Sequence, residues 1–492
     1  MEATSNRVIS NSLFIYAGRV VNLIFNFFIF VYLANYLGES DFGRLSIAIA
    51  YIGTFDIIAN FGLNQILVRE LSGPQIKQGP LLGSGILFKI FLSLLAVLIA
   101  LALLPLMGYP AETMKLVGIM AVTLFVSSKL SSTRTIFESI FQAQLRMAFP
   151  ILCNMMDNAI FAMLVLVAAY FFKIGLTGMA IIYVACNLPG AVWLIWRFFR
   201  CHQVEWRPQW LIIKELMRET LPLAVYLFFS ILTTKIDVLM LSWMRHESEV
   251  GIYAAATRLV YPLSFLSTSL TISLFPLLSK YHEMNREKFF ALARRGTKYV
   301  FIIALFVSGV LTSVADAIIH LLYVPAYATC IPAFRVLLLS LGFSFIYFFF
   351  IDILISARKQ KMVTAAMAAA FVVNVLLNLL LIPKMGILGA GYAKLLSSAV
   401  ALICLYLMLH FQVKIYSILP WPQLLLLTVA LLAVQWWLSG IHLIFHLLFS
   451  FIFFLAFLWF FRIFSYEEKE YFITLIHGLF KRPGGEKNRP LR

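Results

Sequence analysis

Seven basic and five acidic side chains stand within stretches otherwise apolar enough to cross a bilayer: Arg19, Lys89, Lys129, Lys235, Arg258, Arg335 and Lys394, with Asp56, Asp157, Asp237, Asp316 and Asp352. A charge at mid-membrane costs about 2.5–3.5 kcal/mol on insertion scales, so such a group faces a cavity or a partner unless it reaches the headgroups. A guanidinium clasps a phosphate in a fork, and an ammonium attracts it as a point charge. Basic groups around a shared cavity would therefore select an anion. Intramembrane carboxylates carry protons, bind sodium, or neutralise a nearby cation. Both readings stay open for Asp56 and Asp237. For Asp157, Asp316 and Asp352, pairing or interface exposure is the simpler account.

Position sorts the cations. Lys129 and Arg335 lie about a turn from a span end, where snorkelling to the headgroups explains them. Lys235 is two residues before Asp237, so the two point to opposite helix faces. Arg19, Lys89, Arg258 and Lys394 lie about two turns inside their spans and are the candidate cargo-binding cations. Neutral polar residues accompany them at helical spacing. Ser12, Tyr16, Arg19, Asn22 and Asn26 form one stripe; Gly53, Asp56, Asn60 and Asn64 form another. Tyr226, Ser230, Thr233 and Asp237 share a face, as do Thr257, Tyr261, Ser264 and Thr268 beside Arg258. Such stripes either line a wet space or bond helix to helix. The expectation is a central space, with Tyr16, Asn22, Asn26, Asn60 and Tyr261 suited to sugar hydroxyls.

These residues need elements to hold them. The chain has 492 residues, 62% hydrophobic and 12% charged, with mean hydropathy +0.93. Runs such as Leu92 to Leu104 are apolar on every face, which excludes the alternation of a barrel strand and predicts helices. Fourteen spans are expected: 12–35, 43–66, 81–107, 113–133, 149–172, 176–197, 219–243, 250–278, 299–322, 332–356, 362–383, 387–410, 422–440 and 442–461. Of the 39 Lys and Arg, 27 fall in one alternating set of connections and termini and 5 in the other. Short positive loops stay in the cytoplasm, so both termini are expected there.

The chain also repeats. "ESDFGRLSIA" from Glu39 matches "ESEVGIYAAA" from Glu247, and "GLTGMAI" from Gly175 matches "GILGAGY" from Gly386. Both matches fall at the same places in two six-span blocks. Parallel repeats related by an axis along the membrane normal follow, a known transporter plan. The expected organisation is an N-lobe over 1–198, a cytoplasmic linker over 199–218, a C-lobe over 219–410, an appended span pair over 411–463 and a cytoplasmic tail over 464–492. The fold class is all-α and polytopic.

Several functions are set aside. The net charge of +17 reads as a positive cytoplasmic face beside anionic lipid, because no basic run is interleaved with aromatics to stack bases. The five cysteines are scattered and suggest no disulfide or zinc framework. His442 and His446 lack a third ligand, so no metal is expected. No removable signal peptide, phosphate-binding P-loop or hydrolase pattern is evident, and no cofactor is expected. Loops this short leave little room for a glycosyltransferase or polymerase site.

The opening from Asn11–Ser12 through the "LGESDFG" run ending at Gly43, and "FGLNQILVRE" from Phe61 to Glu70, resembles the polysaccharide-transporter family of bacterial lipid-linked oligosaccharide flippases. "GIYAAATRLVYP" from Gly251 and "GILGAGYA" from Gly386 fit the same family. That family belongs to the multidrug/oligosaccharidyl-lipid/polysaccharide exporter superfamily. The resemblance implies fourteen helices in two lobes forming a V. It implies transfer of an undecaprenyl-pyrophosphate-linked oligosaccharide, such as an O-antigen unit, across the bacterial inner membrane by ion- or potential-driven alternating access. It further implies membrane lipid as a partner, with a polysaccharide polymerase and chain-length regulator nearby. By span and stripe it assigns importance to Arg19, Asp56, Asp237 and Arg258. A multidrug–cation antiporter is the alternative, and a cavity rich in cations argues against it.

Overall fold

Long apolar segments must satisfy their backbone groups internally, and helices do this within one segment. In a computed structural model, which describes residues 2–72, 78–144, 146–413, 434 and 443–460, no strand occurs among the described residues. The expected span 422–440, residue 434 apart, and the tail lie outside them, as do the side chains of 2–17.

The N-lobe comprises α1 (Glu2–Asn60), α2 (Leu63–Leu71), α3 (Gln78–Leu103), α4 (Ala111–Ala121), α5 (Thr123–Val126), α6 (Arg134–Ala143), α7 (Ala148–Val167), α8 (Leu176–Ala185) and α9 (Leu188–Cys201). Helix α10 (Trp210–Met244) runs from the linker into the C-lobe. That lobe continues through α11 (Glu247–Val260), α12 (Ser264–Met284), α13 (Arg286–Ser313), α14 (Ala315–Leu322), α15 (Ile331–Ser356) and α16 (Gln360–Met408). A further apolar helix, α17 (Leu443–Phe460), follows. Among the described residues eight helices are long and apolar enough to cross a membrane, or nine if one bent pair counts as a span. Two of the eight are 43 and 52 residues long, roughly twice what a bilayer requires. They bend at Gly38 and Gly386, whose φ values of 76° and 55° leave the helical region. Each therefore supplies two of the expected spans.

The repeat has a physical counterpart. A Cβ on Gly43 would lie 1.9 Å from the Glu247 carbonyl oxygen, and a Cβ on Gly251 would lie 1.9 Å from that of Glu39. The two Glu-x-x-x-Gly motifs thus cross reciprocally, each glycine admitting the other lobe's backbone. Around this crossing Arg44 Nε bonds Glu247 at 2.5 Å, and Arg44 also pairs with Asp41 and Glu112. Thr113 donates to Glu247 at 2.8 Å, and Tyr109 and Ser242 hydroxyls meet at 2.8 Å. Asn35 donates to the Leu322 carbonyl and accepts from Val324 N, while Tyr327 donates to the Ala34 carbonyl. Apart from the Arg44 contacts with Asp41 and Glu112, which stay within the N-lobe, these bonds join the lobes at the end carrying the poorly basic connections.

Several expected spans are broken, 43–66 at Phe61 and Gly62 and 299–322 at Val314 among them, and two further breaks bear on the site. The expected helix 113–133 stops at Val126, and Ser127 to Thr133 form turns before α6. The expected helix 176–197 is interrupted at Cys186 and Asn187, between α8 and α9. Pro189, in the first turn of α9, fits that start. Non-helical backbone at membrane depth survives only where it is buried in protein or lines a cavity, and both conditions hold here.

Candidate functional site: a cationic cavity between the lobes

Between the lobes lies a cavity of about 330 Å³ lined by Leu23, Asn26, Phe27 and Phe30 of α1, Ile49, Lys129, Leu130, Tyr183, Lys235, Arg258, Tyr261 and Pro262. It holds three cations and no carboxylate among its lining residues.

The broken helices position the first cation. Thr133 N donates to the Leu124 carbonyl at 3.0 Å, Lys129 N to Ser127 Oγ at 3.0 Å and Ser132 Oγ to the Ser127 carbonyl at 2.6 Å. Asn187 joins the two breaks: its Oδ1 accepts from Ser128 N at 3.2 Å and its Nδ2 donates to the Tyr183 carbonyl at 2.8 Å. From this turn the Lys129 ammonium reaches 4.2 Å from the Phe161 ring centre and 4.7 Å from that of Tyr183. Its nitrogen is buried and has no hydrogen-bond partner among the described residues. Phe30, Phe161 and Tyr183 form a trio with centroids 5.4–6.4 Å apart. Arg258, from α11 of the other lobe, stacks on Phe30 with its guanidinium carbon 3.8 Å from the ring centre. Lys235 of α10 crosses to α1 and packs over Gly53, where a Cβ would sit 3.4 Å from Lys235 Cε, an ordinary contact. Arg258 lies near enough to couple electrostatically to both lysines. Ring faces attract such cations by about 0.5–2 kcal/mol, less than the roughly 2.5–3.5 kcal/mol that each buried charge costs. Asp56 and Asp157 attract Lys235 and Lys129 from outside the lining, but no carboxylate enters the cavity itself, and an anion there would add to that compensation.

The candidate residues distribute unevenly. Arg258, Asn26 and Tyr261 line the cavity. Arg19 does not: it is exposed and absent from the lining. It stands one helical turn before Leu23, on the basic side of the cavity, so it belongs to the mouth at most. Asn22 and Asn26 both bond Asn158 of α7, at 2.9 and 3.3 Å, joining helix to helix. Tyr16 falls among the undescribed side chains. Lys89 is wholly buried outside the cavity lining, donating to the Ser131 carbonyl at 2.7 Å in the break and sitting beside Asp56. Asn60 is likewise buried, with Oδ1 unpartnered. Lys394 is buried within the C-lobe, bonded to the Thr233 carbonyl and 3.5 Å from Asp237. Asn378 donates to Asp237 at 2.9 Å and to Asn374 at 3.1 Å, completing that network. Lys89 and Lys394 are thus placed as internal partners of Asp56 and Asp237, not as cavity cations.

Lys129 and Lys235 are the cavity cations that sequence position passed over. Lys129 does not snorkel, because its helix has ended before it; the serine-rich run 127–133 (SSKLSST) was the available signal. Arg134 also escaped notice as a connection residue. It is fully buried, bonding Asp157 and Asn154 Oδ1, the latter at 2.7 Å, and it forms an ion pair with Glu138 at 3.4 Å. Asp157 also accepts from Gly190 N at 2.9 Å, so this cluster ties α6, α7 and α9 together. Asp316 pairs with Arg335 at an exposed position. Among the described residues no three His, Cys, Asp or Glu side chains gather as metal ligands would.

Comparison with known proteins places this geometry. No curated protein sequence matches the chain. The fold resembles "Lipid II flippase MurJ, inward closed conformation", with TM-score 0.74 and 16% identity over 92% of this chain and 99% of that one. It also resembles an inward-facing multidrug resistance MATE transporter of the MOP superfamily, with TM-score 0.58 and 17% identity over 80% of this chain and 98% of that one. A MOP superfamily transporter from Pyrococcus furiosus, described as having a binding pocket of reversed polarity, gives TM-score 0.51 and 14% identity over 84% of this chain and 95% of that one. A MatE model matches residues 222–380. The polysaccharide biosynthesis protein model matches residues 8–282, more than half of the sequence, so the chain belongs to the polysaccharide biosynthesis protein family.

Proposed function

We propose that the protein is a flippase for an undecaprenyl-pyrophosphate-linked oligosaccharide, an O-antigen or related repeat unit, in the bacterial inner membrane. One observation carries this reading: three cations, Lys129, Lys235 and Arg258, surround one cavity that no carboxylate lines. A pyrophosphate supplies the missing negative charge. Arg258 grips it in a fork while the lysines act as point charges. Tyr261 and Asn26 offer hydroxyl and amide groups to the first sugar, and the Phe30–Phe161–Tyr183 faces suit the apolar side of a pyranose. The lipid tail stays in the bilayer.

Alternating access moves the cargo between leaflets with both termini cytoplasmic. Arg19 at the mouth meets the phosphate first. Asp56 beside Lys89 and Asp237 beside Lys394 are the coupling pairs: a proton taken up by either carboxylate breaks its ion pair and loosens one lobe. A polysaccharide polymerase and a chain-length regulator receive the product. The test is export of lipid-linked sugar by cells carrying Arg258→Ala or Lys129→Ala at normal membrane abundance. A loss of about tenfold or more is expected, since each charge contact contributes roughly 1.5–3 kcal/mol. Full surface polysaccharide in both variants would remove these residues from the cargo site. The MatE match supports a second reading, a drug–cation antiporter; fluorescent dye efflux abolished by the same substitutions would favour it.

A further inference from the structure

A second basic pocket lies far from this machinery, at the end of the N-lobe that carries the Lys- and Arg-rich connections. It encloses about 410 Å³ and is lined by Phe141, Gln144, Arg146, Phe149, Arg197, Cys201 and His202. Both arginines are exposed, and among the described residues neither pairs with a carboxylate. No Asp or Glu lines the pocket. The wall between them is fixed. The His202 ring spans Gln144 Nε2 at 3.0 Å and the Phe198 carbonyl at 3.2 Å, so it is held on both sides. Burial and the nearby Arg146 push His202 below its ordinary range, which leaves it neutral and the arginines as the only charges.

The aromatic surroundings give the depth. Trp193 packs edge-on against Phe149 at 5.0 Å, Trp196 lies under Arg200 at 4.2 Å and Trp206 lies 5.7 Å from Phe199. Trp193, Trp196 and Trp206 are 41–54% exposed. Indoles gather where acyl chains give way to headgroups, so the two guanidiniums stand at phosphate level beside apolar Phe141 and Phe149. Basic pockets between helices at this depth bind anionic lipid headgroups.

We propose that the Arg146–Arg197 pocket binds the phosphate of an anionic phospholipid from the adjacent leaflet, its acyl chains lying along the Phe149–Trp193 surface. The experiment uses the full chain purified in detergent, with phosphatidylglycerol, phosphatidylcholine and inorganic phosphate added separately and binding read by native mass spectrometry. Wild type should hold phosphatidylglycerol at least about tenfold more tightly than phosphatidylcholine, given about 1 kcal/mol per basic residue at the surface. Arg146→Ala with Arg197→Ala should lower phosphatidylglycerol binding to the phosphatidylcholine level. Arg146→Lys with Arg197→Lys, which keeps charge and fold but loses the fork, should fall between them. Equal phosphatidylglycerol binding by wild type and the lysine and alanine variants overturns the proposal. So does inorganic phosphate that displaces the lipid completely at millimolar concentration, which would make this a site for a free anion. Sugar export is not read, so the result stands apart from the flippase assignment.

Discussion

The reciprocal glycine crossing offers the sharpest test of how the lobes are held. In Gly251→Ala the new methyl would meet the Glu39 carbonyl oxygen at 1.9 Å, its carbon at 2.9 Å and Gly43 N at 3.0 Å. All three are backbone atoms, so no rotamer change relieves the clash. Reaching ordinary contact near 3.4 Å requires the helices to part by about 1.5 Å, and overpacking of this kind costs about 1–3 kcal/mol. The cost falls only on the arrangement in which these ends touch. The balance should therefore shift about 5- to 150-fold toward the parted arrangement, at tenfold per 1.4 kcal/mol. The Tyr109 and Ser242 hydroxyls, 2.8 Å apart across the same junction, report it. In a background without native cysteines, cross-linking of Tyr109→Cys with Ser242→Cys by a short bismaleimide, which spans the room left by the phenol ring, should be efficient, and should drop several-fold when Gly251→Ala or Gly43→Ala is added. The two substitutions should be less than additive together, because the first already parts the helices. Gly118→Ala, whose Cβ meets nothing within 4 Å, is the control. Cross-linking that stays at the wild-type level in both glycine variants refutes the reasoning.

Lys89→Met should lower thermal stability by roughly 3–5 kcal/mol, measured in detergent, because it strands Asp56 and the Ser131 carbonyl inside the lobe; adding Asp56→Asn should recover part of the loss. Arg44→Ala should weaken the lobe junction and reduce the Tyr109–Ser242 cross-link, since Arg44 joins Asp41 and Glu112 to Glu247 of the other lobe. Burial raises the Glu138 carboxyl from 4.5 to about 7, against the pull of Arg134. A carboxyl whose native value lies above its unfolded one takes up protons on folding, so it favours the native state at low pH. That contribution fades as pH rises from 4.5 to 7, by up to ~3 kcal/mol at 1.36 kcal/mol per unit. Glu138→Gln should flatten the melting temperature across that window, and an unchanged slope would argue against it.

Much of the scaffold was legible because its signals are local. Helical class followed from unbroken apolar runs, and the paired lobes from the two Glu-x-x-x-Gly motifs, whose 208-residue offset reappears as the Gly43–Glu247 and Gly251–Glu39 contacts. Arg258 was recognisable from its depth in a span and its polar neighbours. Lys129 was not, because depth was counted along a continuous helix that ends at Val126. Lys89 and Lys394 looked equivalent to Arg258 by depth alone. Which way each points depends on neighbouring helices: they meet Asp56 and Asp237, while Arg258 meets an aromatic ring.

The sequence by itself determined that this chain crosses membranes as helices, that it is built twice over, and that cations enter its interior. Hydropathy, period and repeat spacing are properties of neighbours along the chain, and they need no fold to be read. Only tertiary structure decided which cations share a cavity and which are neutralised in private. Coulomb energy depends on distance and exposure, and Lys129, Lys235 and Arg258 come together from three separate segments. A broken helix, a crossing from α10 to α1 and a ring face bring them there.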